Sequence, residues 1–116
     1  MSGAAERIEA EVSAWSGVEV ADHRFGGIEF RYGRRELGHL HGDRFADLPV
    51  GKRVKEELIA SGRARPHHVL PDTGWVTVPM GDGVGEATVL ELLRSSYDRA
   101  VEQERKRATR QAETGR

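Results

Sequence analysis

Between Val18 and His41 the chain reads as three short strands separated by glycines, with no room for a helix between them. Ile28, Phe30 and Tyr32 alternate with Glu29 and Arg31, the period of a strand with one buried face. Gly26-Gly27 ahead of that run is a hairpin signal, and Gly33 marks a second turn. The three runs, over 18–25, 28–32 and 34–41, are expected to form an antiparallel meander.

Helical stripes flank the meander. Ala5, Ile8, Val12 and Trp15 recur at three- and four-residue spacing, which predicts an amphipathic helix over about 4–15, with Ser2 as N-cap and Gly17 as its stop. Asp47-Leu48-Pro49 reads as a second helix entrance, a capping carboxylate followed by a proline where no amide donor is needed. Val50, Val54, Leu58 and Ile59 supply that helix's buried stripe, and Gly62 ends it. Pro71-Asp72-Thr73-Gly74 is a turn. A fourth strand is expected over 75–80, with Val76 and Val78 on one face and Trp75 and Thr77 on the other. Gly81 to Gly85 reads as a connector. Leu90, Leu93, Tyr97 and Val101 then form the seam of a last helix over about 86–105. Residues 106–116 have no apolar stripe and are expected to be a polar, disordered tail. The order predicts a single α+β domain over 1–105: a four-stranded antiparallel sheet, helices packed on one face, the other face open to solvent or ligand.

Composition removes several classes of function. The 116 residues carry 18 basic and 19 acidic side chains, so a general nucleic-acid binder, normally distinctly basic, is not expected. Without cysteine there are no disulfides, thiolate metal sites or thiol chemistry, which fits an intracellular, cytoplasmic chain. No run approaches the roughly 18 apolar residues of a membrane span, so no membrane partner is expected. Nothing in the sequence names a cofactor or an oligomeric state.

Four of the five histidines lie in two stretches, Glu36-Leu37-Gly38-His39-Leu40-His41-Gly42-Asp43 and Arg65-Pro66-His67-His68. His39 and His41, two apart in a strand, point off one face. If Leu40 joins the core, that face is the open one, beside Glu29 and Arg31; if Leu37 does, the histidines are buried. The open arrangement is preferred, because unpaired imidazoles are costly to bury. A His-x-His pair can supply two metal ligands, with a third from His67, His68 or Asp43, but two histidines are weak grounds and no metal is assigned. Ordinary surface histidines would look the same. Histidine also suits acid–base work, because its free pKa of about 6.5 lies near neutrality.

Three runs carry a family pattern: Phe25-Gly26-Gly27-Ile28-Glu29-Phe30, then Glu36-Leu37-Gly38-His39-Leu40-His41-Gly42, then Ala64-Arg65-Pro66-His67-His68-Val69-Leu70-Pro71 with Gly74-Trp75-Val76. They resemble the small bacterial luciferase-domain proteins, over about residues 10–100. The family is named for fungal luciferases, oxygenases acting on a hydroxylated pyrone. Against the fungal enzymes the resemblance narrows to Glu36, His39, His41 and His67 or His68, and the stretch between His41 and the second helix differs. The resemblance implies an uncharacterised, oxygenase-like domain binding a small aromatic or enolic molecule. His39, His41 and His67 would orient or deprotonate it. Arg65 would neutralise anionic charge, and Glu36, His68, Asp72 and Trp75 would contact the ligand. The closing segment, from Arg65 through Trp75-Val76-Thr77-Val78 to Ser95-Ser96-Tyr97, more faintly resembles the MmcQ/YjbR-like family. That implies the same fold, and with it the alternative of a non-enzymatic module binding protein or nucleic acid.

Overall fold

A computed structural model describes residues 3–23, 26–81 and 83–114. In chain order the elements are α1 (Ala4–Val12), β1 (Val18–Asp22), β2 (Ile28–Tyr32), β3 (Arg35–His41), β4 (Phe45–Pro49), α2 (Lys52–Ala60), β5 (Arg65–Pro66), β6 (Trp75–Pro79) and α3 (Gly83–Thr114). Among the described residues six strands form one antiparallel sheet in the order β1-β2-β3-β4-β6-β5, so the expected count of four is corrected to six. The α+β class and the antiparallel sheet hold.

The larger correction is β4. Asp47-Leu48-Pro49 does not open a helix; it closes a strand, and α2 starts later, after Gly51, with no side-chain cap. Ala46 and Leu48 alternate into the core and are fully buried, while Asp47 points the other way. Pro49 is tolerated because it lies beyond the three residues of β4 that pair with β3. β5 is a two-residue rim strand that ends in proline, a suitable residue at a sheet edge.

Phe30, Leu37, Leu40, Ala46, Leu48, Val76 and Val78 make the apolar face of the sheet. Ile8 and Val12 of α1 and Val89, Leu93 and Tyr97 of α3 cover it. Burying a side chain of this kind contributes about 1.5–3 kcal/mol, so this layer supplies most of the driving force. Trp15 lies past the end of α1 but still packs on Tyr97, their ring centroids 5.3 Å apart.

The expected N-cap Ser2, the strand end at Phe25 and Asp82 of the expected connector lie outside the described residues. Gly3 occupies the N-cap of α1 without a side-chain bond; the Asp43 carboxylate instead accepts from the Ala5 amide at 2.8 Å. Gly83 to Gly85, expected in the connector, form the first turn of α3. That helix continues past residue 105 to Thr114, with none of its residues buried after Ala100. Glu102 and Arg105 pair along its exposed part at 2.5 Å.

One irregularity decides the faces. Phe30 pairs with Gly38 but Arg31 pairs with Glu36, so Leu37 is an extra residue in β3. The bulge turns Leu37 and Leu40 both into the core and places Glu36, His39 and His41 together on the opposite face. The choice between Leu37 and Leu40 posed by strict alternation does not arise. Gly38 is required at the bulge: its φ is +154°, and a Cβ there would lie 2.6 Å from Leu48 Cδ2 and 3.0 Å from Leu93 Cδ2.

Candidate functional site

Asp47, fully buried, is the hub of the face opposite the helices. The β3–β4 hairpin pairs it with His39, and β6 pairs it with Thr77. Thr77 Oγ1 donates to Asp47 Oδ1 at 2.6 Å. Its other oxygen, Oδ2, meets Nε2 of His39 and His41 at 3.0 Å each, of His68 at 3.1 Å and of His67 at 3.4 Å. His23, at the end of β1, stacks on His39 with centroids 4.0 Å apart. All five histidines therefore gather at one place, from three separate segments.

Partners restrict the protonation of two of these rings. His39 lies between carboxylates, Nδ1 2.6 Å from Glu36 Oε2 and Nε2 3.0 Å from Asp47. Burial alone would lower its pKa, but hydrogen bonds to Asp47 and Glu36 and their charges outweigh it and raise the pKa to about 9. Burial works against the Asp47 carboxylate too, yet hydrogen bonds from His39, Thr77 and His68 hold it well below the usual carboxylate range. The Nδ1 of His67 accepts the Val69 and Leu70 amides at 3.1 and 3.0 Å, so its proton resides on Nε2. Burial lowers the pKa of His67 against the pull of Asp47, and neighbouring imidazoles lower it further. Burial likewise lowers His41 despite its bond to Asp47. His39 is thus an imidazolium at neutral pH, paired with the Asp47 and Glu36 carboxylates.

A stability profile follows. The folded pKa of His39 lies above its free value, so its contribution is complete below about pH 6.5 and is lost as pH rises through about 9. Asp47 contributes in the opposite sense, with stability present at neutral pH and lost only in strong acid. His41 and His67, with lowered values, subtract stability once the pH falls below about 6.5. Melting curves in chelator-treated buffer should show greatest stability near pH 6.5 and a loss of up to about 3 kcal/mol between roughly pH 6.5 and 9. In Glu36→Gln the alkaline loss should shrink and be complete at lower pH. Identical alkaline limbs for the two proteins would remove the assigned His39–Glu36 pairing.

The hollow over this cluster has a volume of about 520 Å³. Of the sequence-predicted residues, Glu36, His39, His41, His67, His68 and Trp75 line it. Arg65 does not; it lines an adjoining hollow of about 360 Å³ with Arg44 and Thr77, and His68 borders both. Asp72 lines neither and is exposed in a turn, which Lys55 fastens through the Pro71 and Thr73 carbonyls. Asp43, weighed as a metal ligand, caps α1 instead. Sequence reasoning missed Asp47 and His23. The signal for Asp47 was present: Ala46 and Leu48 alternate as a strand does, and a short turn after His41 returns Asp47 to His39. A hollow of about 620 Å³ between the β2–β3 turn and α3 is larger, but arginines, Gln103 and Glu104 surround it, with no imidazole or buried carboxylate.

Three groups place potential ligand atoms within 4.8 Å of one another: His23, Glu36 and His39; His39, Asp47 and His67; and His41, Asp47 and His68. No helix among the described residues is long and apolar enough to cross a membrane. A family model described as Luciferase domain matches residues 34–96, just over half of the chain, and spans the hairpin, the histidine loop and β6. No curated protein and no solved structure matches the chain.

Proposed function

Because the chain belongs to the luciferase-domain family, we propose that its histidine hollow binds a small aromatic or enolic molecule and carries an oxygenase-like reaction on it. The observation behind this reading is the convergence of five imidazoles and a buried carboxylate beneath an apolar wall that faces solvent. Val69 and Leu70, 67% and 49% exposed, stand at the rim of that polar floor with Trp75. Exposed apolar residues beside convergent polar groups are what a planar ligand would cover. About 520 Å³ suits a molecule of one or two rings. His41 and His68 would meet its enolic oxygen. Glu36, His39 and Asp47 would hold those rings in place. His67, with its Nδ1 fastened to two backbone amides, would position the rim rather than act on the ligand. An anionic substituent would reach Arg65 and Arg44 across His68.

Amide chemical-shift mapping with a panel of hydroxylated 2-pyrones and phenols tests the reading. Shifts should fall on His68, Val69, Leu70 and Trp75. His68→Ala, at a half-exposed ring, and Trp75→Leu should each weaken binding about tenfold, about 1.4 kcal/mol, with the remaining spectrum unchanged. Shifts confined to Tyr32, Arg35 and Arg107, or unchanged affinity in both variants, would overturn it.

A further inference from the structure

We infer that Nε2 of His41, Nε2 of His68 and the Asp47 carboxylate form a facial site for one divalent transition-metal cation of the iron(II) class. This deepens the reading above and rests on the hollow being the working site.

The spacing is that of ligands around an ion. His41 Nε2 and His68 Nε2 lie 3.0 and 3.1 Å from Asp47 Oδ2, and each of the three residues offers a ligand atom within 4.8 Å of those of the other two. Neighbouring ligands of an octahedral ion bound at about 2.1 Å stand about 3 Å apart. Hydrogen bonding accounts poorly for the same crowding. A carboxylate oxygen has about two lone-pair sites, yet four imidazole edges converge on Oδ2. His39 satisfies one of them. A cation shared by His41, His68 and Asp47 would take two edges off the hydrogen-bond count and turn them into ligands.

The surroundings hold the three groups. Thr77 fixes the Asp47 carboxylate through Oδ1. Phe45 stacks on His41 with centroids 4.5 Å apart, and His67 stacks on His68 at 4.6 Å. Such supporting contacts orient metal ligands and tune their affinity. The other two groups fit less well. His67 has Nδ1 committed to two amides, so its Nε2 bears the proton and offers no lone pair. His39 has both nitrogens within hydrogen-bond distance of carboxylates, which suits a supporting role. His68 is half-exposed and His41 one-fifth exposed, so an ion there would keep open positions facing the hollow. Two histidines and one carboxylate with open positions are the donor set of non-haem iron(II) oxygenases. A bound ion would serve as a Lewis acid for a ligand oxygen.

The test uses tag-free, chelator-stripped full-length protein titrated with cobalt(II), read by calorimetry and visible absorption, and with iron(II) under anaerobic conditions. One equivalent should bind, with cobalt bands of a six- or five-coordinate N/O site. His41→Ala and His68→Ala should each weaken binding a hundredfold or more, and Glu36→Gln about tenfold. His68→Ala should keep the wild-type melting curve, so its loss of binding would not be a loss of fold. Absence of stoichiometric cobalt binding, or equal affinity in His68→Ala, would overturn the inference. If stripped protein still binds the pyrones and phenols while cobalt does not bind, the metal site fails and the small-molecule reading stands. Cobalt binding without binding of any organic probe has the reverse meaning.

Discussion

Asp47→Ala is expected to lower the melting temperature by roughly 10–20 °C and to abolish binding of organic probes and of cobalt together. The carboxylate is fully buried and is the common partner of Thr77 and four imidazoles. Removing one side of a buried charge pair costs about 3–5 kcal/mol, because the partner is left uncompensated. The loss should fall toward the lower end, because His39 keeps Glu36 and its pKa can drop once Asp47 is gone. At several degrees per kcal/mol for a chain of this size, about 3 kcal/mol gives the stated shift. Asp47→Asn keeps an oxygen for Thr77 but turns an amide toward imidazole edges, so it should melt between wild type and Asp47→Ala and bind no cobalt. Calorimetric melts at pH 7 decide the matter. A fall of only a few degrees in Asp47→Ala would mean that the imidazoles do not depend on the carboxylate.

Gly38→Ala should destabilise the domain by about 2–4 kcal/mol and disturb the site it does not touch. The new methyl would sit 2.6 Å from Leu48 Cδ2, 3.0 Å from Leu93 Cδ2 and 3.2 Å from the Asp47 carbonyl oxygen. Leu48 and Leu93 are fully buried and have nowhere to move, and overpacking of this kind costs about 1–3 kcal/mol. The backbone conformation, φ +154°, adds strain of about 1–2 kcal/mol for any residue with a Cβ. Relief requires β4 or α3 to shift, and β4 bears Asp47. Denaturant melts should show the loss, and amide spectra should show His39 and Asp47 moving. Gly33→Ala is the control: its turn conformation is left-handed but a Cβ there meets nothing within 4 Å, so only about 1 kcal/mol is expected and the site should be unaffected. Equal losses at the two glycines would refute the steric account.

Local patterns identified much of this fold. The Ile28-Phe30-Tyr32 alternation and the Ile8 and Val12 stripe act within a few residues, and both elements form. β4 was hidden because Asp-Leu-Pro satisfies two grammars at once: a cap and first helical turn, or the end of a strand that has no further partner on one side. Only the pairing of Asp47 with His39 and Thr77 decides between them, and that is tertiary information. The same holds for the bulge. Strict alternation allows Leu37 or Leu40 in the core, and one extra residue allows both. His39, His41, His67 and His68 were legible as candidates because they cluster in the chain. His23 was not, because only the β1–β2–β3 order brings it above His39. Arg65 and Asp72 show the converse: chemistry-bearing residues beside a site in sequence need not enter it.

The small turn at Asp43 has a mechanical consequence. Its carboxylate grips the start of α1, and Arg7 in the same helix is bound to Glu86 of α3. The tip of the hairpin that bears Glu36, His39, His41 and Asp47 is thereby moored to the helical layer on the far side of the sheet. Tugging the leading helix outward would pull that mooring line, and the slack would be felt beneath the imidazoles before the core itself came apart.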